Sequence, residues 1–339
     1  NVSPASAPYV ITIDTTAPAA PVIGSAIDNV APITGAIANG GVTNDTTPTL
    51  SGSGAGAGAT VSIFEGATLL GTTTANGSGN WSFTAGPLGE GAHSFTASVA
   101  DAAGNVATSA SFTLIIDTTP PAAPVIVAIS DDAAPFIGTI TNGGATNDAT
   151  PTLSGTATAG AIVSIFDGAT LLGTATANGG GNWSFTPSAM ADGNHNFTAT
   201  VAYAAGNIAT SAVYAVTVDT TPPAAPVIGS VTDNVAPYVG AIANGGSTND
   251  TTPTVNGSGV SAGAVVSIFD GTTLLGTTTA DGAGNWTFTT APLTQGSHSL
   301  TATVADAVGN ASAPSAAYTV LIDTNAPAAP TITSVTDDV

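Results

Sequence analysis

Lysine and arginine are missing altogether from the 339 residues, while aspartate and glutamate total 21, so the formal net charge is −21 and the pI is near 4.1. Nucleic acids are held by cationic side chains that displace counterions from phosphate, and anionic membrane surfaces attract basic segments for the same reason. No nucleic acid partner is therefore expected. Cysteine is missing too, which excludes disulfides, and without lysine the chain cannot form Lys–Asn isopeptide crosslinks. Any stapling is non-covalent. Gly, Thr, Ser and Asn interrupt every apolar run well before the roughly 18 residues that a membrane helix needs, so no membrane insertion is expected in this segment. The first residues also lack the charged start and apolar stretch of a signal peptide.

What the chain does contain is a repeat. Trp81, Trp183 and Trp286 lie in GNWSFT, GNWSFT and GNWTFT, spaced 102 and 103 residues apart. Asp14, Asp117, Asp219 and Asp323 lie in IDTTAP, IDTTPP, VDTTPP and IDTNAP at nearly the same period. Such a period is too long for a solenoid turn and matches one whole β-sandwich domain. The expected units are 18–120, 121–222 and 223–326, flanked by the end of a preceding repeat at 1–17 and the start of a following one at 327–339.

Within a unit, turn residues come every 8 to 15 positions and the runs between them alternate, as in Val61-Ser62-Ile63-Phe64. The pattern predicts an all-β chain with seven strands per repeat: Pro21–Ile23, Pro48–Gly52, Thr60–Phe64, Leu69–Thr74, Asn80–Thr84, His93–Val99 and Ser109–Ile116. Strands alternating up and down bring the chain in at one pole and out at the other. Repeats joined by short proline-bearing linkers are then expected to stack end to end as a rod.

The carboxylates recur in register at predicted loops. Asp28, Asp131, Asp233 and Asp337 follow the first strand. Asp45, Asp148 and Asp250 stand in Asn-Asp pairs before the second, and Asp14, Asp117, Asp219 and Asp323 close the last. These groups are expected at the outgoing pole. Asp101 and Asp306, with Asn105 and Asn310, belong to the loop before the last strand, at the incoming pole, where stacking sets them against the preceding repeat. Hard oxygen donors without nitrogen or sulfur suit calcium, so Ca²⁺ is the expected cofactor at the junctions. The simpler reading is that Asp and Asn cap turns through their own backbone. The sequence has neither an EF-hand loop nor a Gly-Gly-x-Gly-x-Asp tandem, so calcium sites would be assembled from separate loops.

Other motifs argue against chemistry. His93, His195 and His298 occur once per repeat, too few for zinc, and are expected to be satisfied locally. No nucleophile elbow accompanies the serines, so the chain is not expected to be an enzyme. Trp81 and Phe83 alternate on one strand face and are expected in the core rather than on a sugar-stacking platform.

The motifs DTTAPAAP, TNDTTPTLSG, VSIFEGATLLGTTTA, GNWSFT and ADAAGN, in this order and three times over, resemble the bacterial immunoglobulin-like (Ig-like) tandem repeats of giant adhesins and biofilm-associated proteins exported by type I secretion. The resemblance implies Ig-like sandwiches in an extracellular, cell-surface or biofilm-matrix stalk with calcium at its junctions. Its implied partners are neighbouring repeats of the same chain and possible lateral neighbours in a matrix. The alternatives are a carbohydrate-binding array that mediates adhesion directly and an accessory region of a secreted hydrolase.

Overall fold

The structure is a computed structural model and describes residues 3–336. Among them the regular secondary structure is all strand, and each repeat is a pair of sheets facing one another across a core. The first repeat contains β1 (Val22–Asp28), β2 (Gly35–Ile37), β3 (Gly41–Thr43), β4 (Thr49–Ser53) and β5 (Thr60–Glu65). It continues with β6 (Thr68–Thr74), β7 (Trp81–Thr84), β8 (Gly91–Ala100), β9 (Val106–Thr108) and β10 (Phe112–Ile116). One sheet has the order β2-β1-β4-β7; the other runs β3-β10-β8-β5-β6, with β9 beside β8. The other two repeats follow the same order, except that an isolated Ala305–Ala311 bridge stands where the third would have its β9 counterpart.

The period-2 pattern explains the core. Phe112, Leu114 and Ile116 on β10 face inward and meet Phe95, Ala97 and Val99 of β8, with Leu50, Val61, Ile63 and Trp81 completing the cluster. Burying each large apolar side chain contributes roughly 1.5–3 kcal/mol, and each repeat has its own such cluster. Trp81 needs a gap opposite it. Its β4 partner is Gly52, where a Cβ would fall 2.1 Å from the indole Cζ2; Gly155 and Gly257 make the same room for Trp183 and Trp286.

The seven-strand expectation is corrected in two ways. The strands β2, β3 and β9 are only three residues each, too short for alternation to show in the sequence, and β1 runs on to Asp28 instead of ending at Ile23. Moreover, after β2 the chain crosses to the other sheet, where β3 pairs with β10 in parallel. The seven expected strands do alternate up and down, and the one break in alternation falls between β9 and β10, which both run antiparallel to β8. The crossing returns the chain to the outgoing pole, where Thr43 meets Ile116 at the end of β10.

Candidate inter-repeat junction site

At the outgoing pole Asp28 and Asp45 are both buried, 4% and 1% exposed, and Thr43 lies between them. Thr43 Oγ1 donates to Asp28 Oδ2 at 2.6 Å and accepts from the Asp45 amide at 3.0 Å. Asp28 Oδ1 also accepts from the Val30 amide. Asp45 accepts from the amides of Asn29 and Thr47 and from the Thr47 hydroxyl. Asp131 with Asp148, and Asp233 with Asp250, repeat this arrangement through Thr146 and Thr248. The Asp117 amide donates to the Thr43 carbonyl, which sets the linker beside the pair. The expected grouping of Asp28, Asp45 and Asp117 at one pole is thus observed, and so is the turn-capping use of the carboxylates.

Among the described residues no three acidic, histidine or cysteine side chains converge closely enough to form a ready cation cage. A further oxygen is nevertheless present. Asn44 Oδ1 and Asn147 Oδ1 are buried and accept no hydrogen bond, while their Nδ2 atoms donate to the carbonyls of Ala31 and Ala134. In a chain without lysine or arginine, the buried Asp28 and Asp45 carboxylates are held by amides and hydroxyls of their own loops. Asn44 was not singled out from sequence, although the Asn-Asp dipeptide was the signal. Asp337 lies outside the described residues.

The incoming pole presents the loop between β8 and β9. Asp101 Oδ1 accepts from the amides of Ala103 and Asn105, and Oδ2 accepts from Asn105 Nδ2 at 2.8 Å. The Asn105 side-chain bond, with the backbone donors, lowers the Asp101 pKa below the usual carboxylate value. Asp306 holds Asn310 in the same way. The asparagine then reaches back to the linker: Asn105 Nδ2 donates to the Asp14 carbonyl at 3.1 Å, Asn207 to Asp117 and Asn310 to Asp219, both at 2.7 Å. Sequence placed the two ends together correctly. It assigned Asp101 and Asp306 to a cation, whereas their visible partners are in their own loops.

A second hold on the linker was missed. Glu90, before β8, accepts from the Thr118 amide and hydroxyl and from the Thr119 hydroxyl. Asp192 does the same for Thr220 and Thr221, and Gln295 for Thr324. The Thr118 amide, then its hydroxyl, lowers the Glu90 pKa, and the Thr221 and Thr220 hydroxyls lower that of Asp192. Three different residue types at one position hid the role. Each internal linker is therefore gripped from both sides, by an acid of the repeat it leaves and an asparagine of the repeat it reaches.

The histidines are satisfied within their repeats. His195 Nδ1 lies 2.7 Å from Asp167 Oδ2 and its Nε2 lies 2.9 Å from the Ala191 carbonyl; His298 has Asp270 and the Thr294 carbonyl, and His93 has Glu65 and the Gly89 carbonyl. A carboxylate at one nitrogen and a carbonyl at the other are both satisfied only when both nitrogens carry protons. For His195 and His298, burial opposes the charge, but the carboxylate bond, the carbonyl and the neighbouring negative charge outweigh it and raise the pKa.

The model of the bacterial Ig-like domain matches residues 21–118, 124–220 and 231–324. The chain belongs to the bacterial Ig-like domain family. No curated protein sequence matches it. Among solved structures, these Ig-like repeats are similar to part of a 1.5-MDa bacterial ice-binding adhesin, with 21% identity over 82% of this chain and 91% of that one and a TM-score of 0.34. The BSP domain of a biofilm-associated protein is 15% identical over 91% of this chain and 67% of its own, with a TM-score of 0.22. Fibronectin(III)-like modules of Clostridium thermocellum CbhA are 17% identical over 52% and 87%, with a TM-score of 0.33. Likeness at these scores says nothing of ligand or activity.

Proposed function

We propose that the chain is a structural stalk or spacer segment of an extracellular bacterial adhesin or biofilm-matrix fibre, stiffened by calcium where one Ig-like repeat meets the next. The observation that carries the reading is the bond from the Asn207 and Asn310 amides to the linker carbonyls of Asp117 and Asp219, which ties each repeat to the linker of the repeat before it. Family membership supports a non-catalytic, repeat-building role. Among the described residues no helix is long and apolar enough to cross a membrane.

Asp28, Asn44 and Asp45, and Asp131, Asn147 and Asp148, would hold the cation, which would offset the charge repulsion of the buried carboxylates. Asp233 and Asp250 would serve the third repeat. Extracellular calcium modules bind at about 0.1–1 mM, and ligand at 100 times the dissociation constant adds roughly 2.7 kcal/mol. Calcium titration by calorimetry, with melting and small-angle scattering in calcium and in chelator, is the test. Higher melting temperature and greater length in calcium are expected, and identical curves in chelator would remove the cation from the proposal.

The carbohydrate-binding alternative is weakened by the tryptophans. Trp81, Trp183 and Trp286 are 5%, 3% and 3% exposed and belong to the cores. The most exposed aromatics of the second and third repeats, Phe136 and Tyr238, correspond to Ile33 in the first, so no stacking residue is shared by all three. A glycan array decides between the readings, and submicromolar binding would favour the alternative.

A further inference from the structure

We infer that the chain carries two sites of spontaneous amide-to-acid conversion, Asn76 and Asn178, and that the fold directs this chemistry to them and away from other asparagines with the same neighbour. An asparagine followed by glycine is open to attack by the glycine amide nitrogen on its own side-chain carbonyl, because the next residue has no Cβ to hinder the approach. Six such pairs occur: Asn39-Gly40, Asn76-Gly77, Asn142-Gly143, Asn178-Gly179, Asn244-Gly245 and Asn256-Gly257. Exposure does not separate them, since all of these asparagines but Asn256 are exposed. Hydrogen bonding does. In the turn between β2 and β3 the Gly40 amide donates to the Thr113 carbonyl at 2.8 Å, and Asn39 Oδ1 accepts from the Thr113 amide and hydroxyl at 2.7 and 2.9 Å. Both reacting groups are thus tied to β10. Gly143 and Gly245 donate in the same way to Ala215 and Thr319, whose amides hold Asn142 and Asn244. Asn256-Gly257 lies inside the paired strand Thr254–Ser258.

The loop between β6 and β7 is arranged otherwise. Asn76 Oδ1 accepts from the Ser78 and Asn80 amides at 2.9 and 3.0 Å, and Asn178 Oδ1 accepts from those of Gly180 and Asn182 at the same distances. These donors belong to the reacting loop itself. They polarise the side-chain carbonyl and face the oxygen on which negative charge gathers as nitrogen adds to it. The Gly77 and Gly179 amides have no hydrogen-bond partner among the described residues, so base in the solvent reaches their protons. The Gly77 nitrogen gives up its proton and bonds to Asn76 Cγ; the Cγ–Nδ2 bond breaks, and the side-chain nitrogen takes up a proton and leaves as ammonia. Water then opens the five-membered imide. Cleavage of its bond to Cγ gives aspartate, and cleavage of its bond to the main-chain carbon gives isoaspartate. The third repeat shows that the aspartate product fits: Asp281 stands at the equivalent position, and its Oδ1 accepts from the Ala283 and Asn285 amides at 2.8 and 2.9 Å. Isoaspartate instead lengthens the main chain beside Gly79, where a Cβ would lie only 2.3 Å from the Ala55 carbonyl oxygen. The inference rests neither on calcium nor on how the repeats meet.

The test incubates the full chain at mildly alkaline pH, folded and in denaturant, and follows each asparagine by mass spectrometry after pepsin digestion, since a chain without lysine or arginine gives trypsin no site. In the folded chain Asn76 and Asn178 should convert several-fold faster than Asn39, Asn142, Asn244 and Asn256. In denaturant the six rates should converge. Equal rates in the folded chain, or a difference that persists unchanged in denaturant, would overturn the proposal. A second arm uses Gly77→Ala, which meets nothing within 4 Å and so leaves the loop in place. It should slow conversion at Asn76 several-fold and leave Asn178 unaffected, with isoaspartate, detected by enzymatic methylation, falling in parallel. Conversion at Asn76 undiminished in the variant would show that the glycine nitrogen takes no part, and would overturn the assignment.

Discussion

An alanine methyl at Gly52 has no space, because the Trp81 ring and the Val22 carbonyl already occupy the position of its Cβ. Gly52→Ala should therefore destabilise the first repeat by about 1–3 kcal/mol, the usual cost of overpacking, while Gly77→Ala, which meets nothing within 4 Å, should leave its denaturant midpoint nearly unchanged. The histidines make a pH-dependent contribution of the opposite kind to the carboxylates. His195 and His298 have raised pKa values in the fold, so their stabilisation is complete below the unfolded value of about 6.5 and is lost as pH rises through the folded one. Melting temperatures of the chain should fall between mildly acidic and mildly alkaline pH, and His298→Gln should flatten that dependence for the third repeat. An unchanged slope in the variant would show that the imidazole is not its source.

Elements differed in how much the sequence disclosed. Strands with three or more inward apolar residues, such as β8 and β10, were legible from alternation, and the tryptophan period located the repeats. The segments β2 and β3 were not, since Gly-Ala-Ile and Gly-Val-Thr each offer one buried position, and no pattern can be read from one residue. The recurrent aspartates were legible as a pole, but their division between turn capping and metal binding was not, because the same oxygens serve both. The linker clamp escaped because Glu90, Asp192 and Gln295 share only an acceptor oxygen. That variation supplies a control. The lowered pKa values of Glu90 and Asp192 mean that their hold is complete above the unfolded carboxylate value, near 4, and is lost as pH falls through the folded values. Amide exchange at Thr118 and Thr220 should accelerate, relative to the intrinsic rate, as the acid limb is crossed. At Thr324 the acceptor is the Gln295 amide, which does not titrate, so any step there follows Asp323, whose carboxylate accepts from Gln295 Nε2 and has its pKa lowered by that bond.

Across the whole molecule the incoming loops of the two internal junctions differ most in the residue that opens them, and the structure sharpens what that difference means. The incoming loop reads Tyr203-Ala-Ala-Gly-Asn207 at the first junction and Asp306-Ala-Val-Gly-Asn310 at the second. Asp306 holds the Asn310 amide that grips the linker, and Tyr203 provides no carboxylate for Asn207. A carboxylate there can stiffen the joint in two ways: by fixing the asparagine rotamer, which needs no metal, or by adding an oxygen ligand to a cation held by the outgoing acids of the preceding repeat. The first junction should accordingly bend more than the second. Tyr203→Asp in the full chain should narrow the distance distribution across the first junction, measured between spin labels placed in the first and second repeats. If the narrowing appears equally in calcium and in chelator, the carboxylate acts through Asn207; if it needs calcium, it acts as a ligand. Because Asp306 already spends both oxygens on its own loop, narrowing in chelator is the expected outcome, with calcium adding a further increment through Asp28, Asn44 and Asp45. No change in either condition would show that the loop acid has no part in the joint.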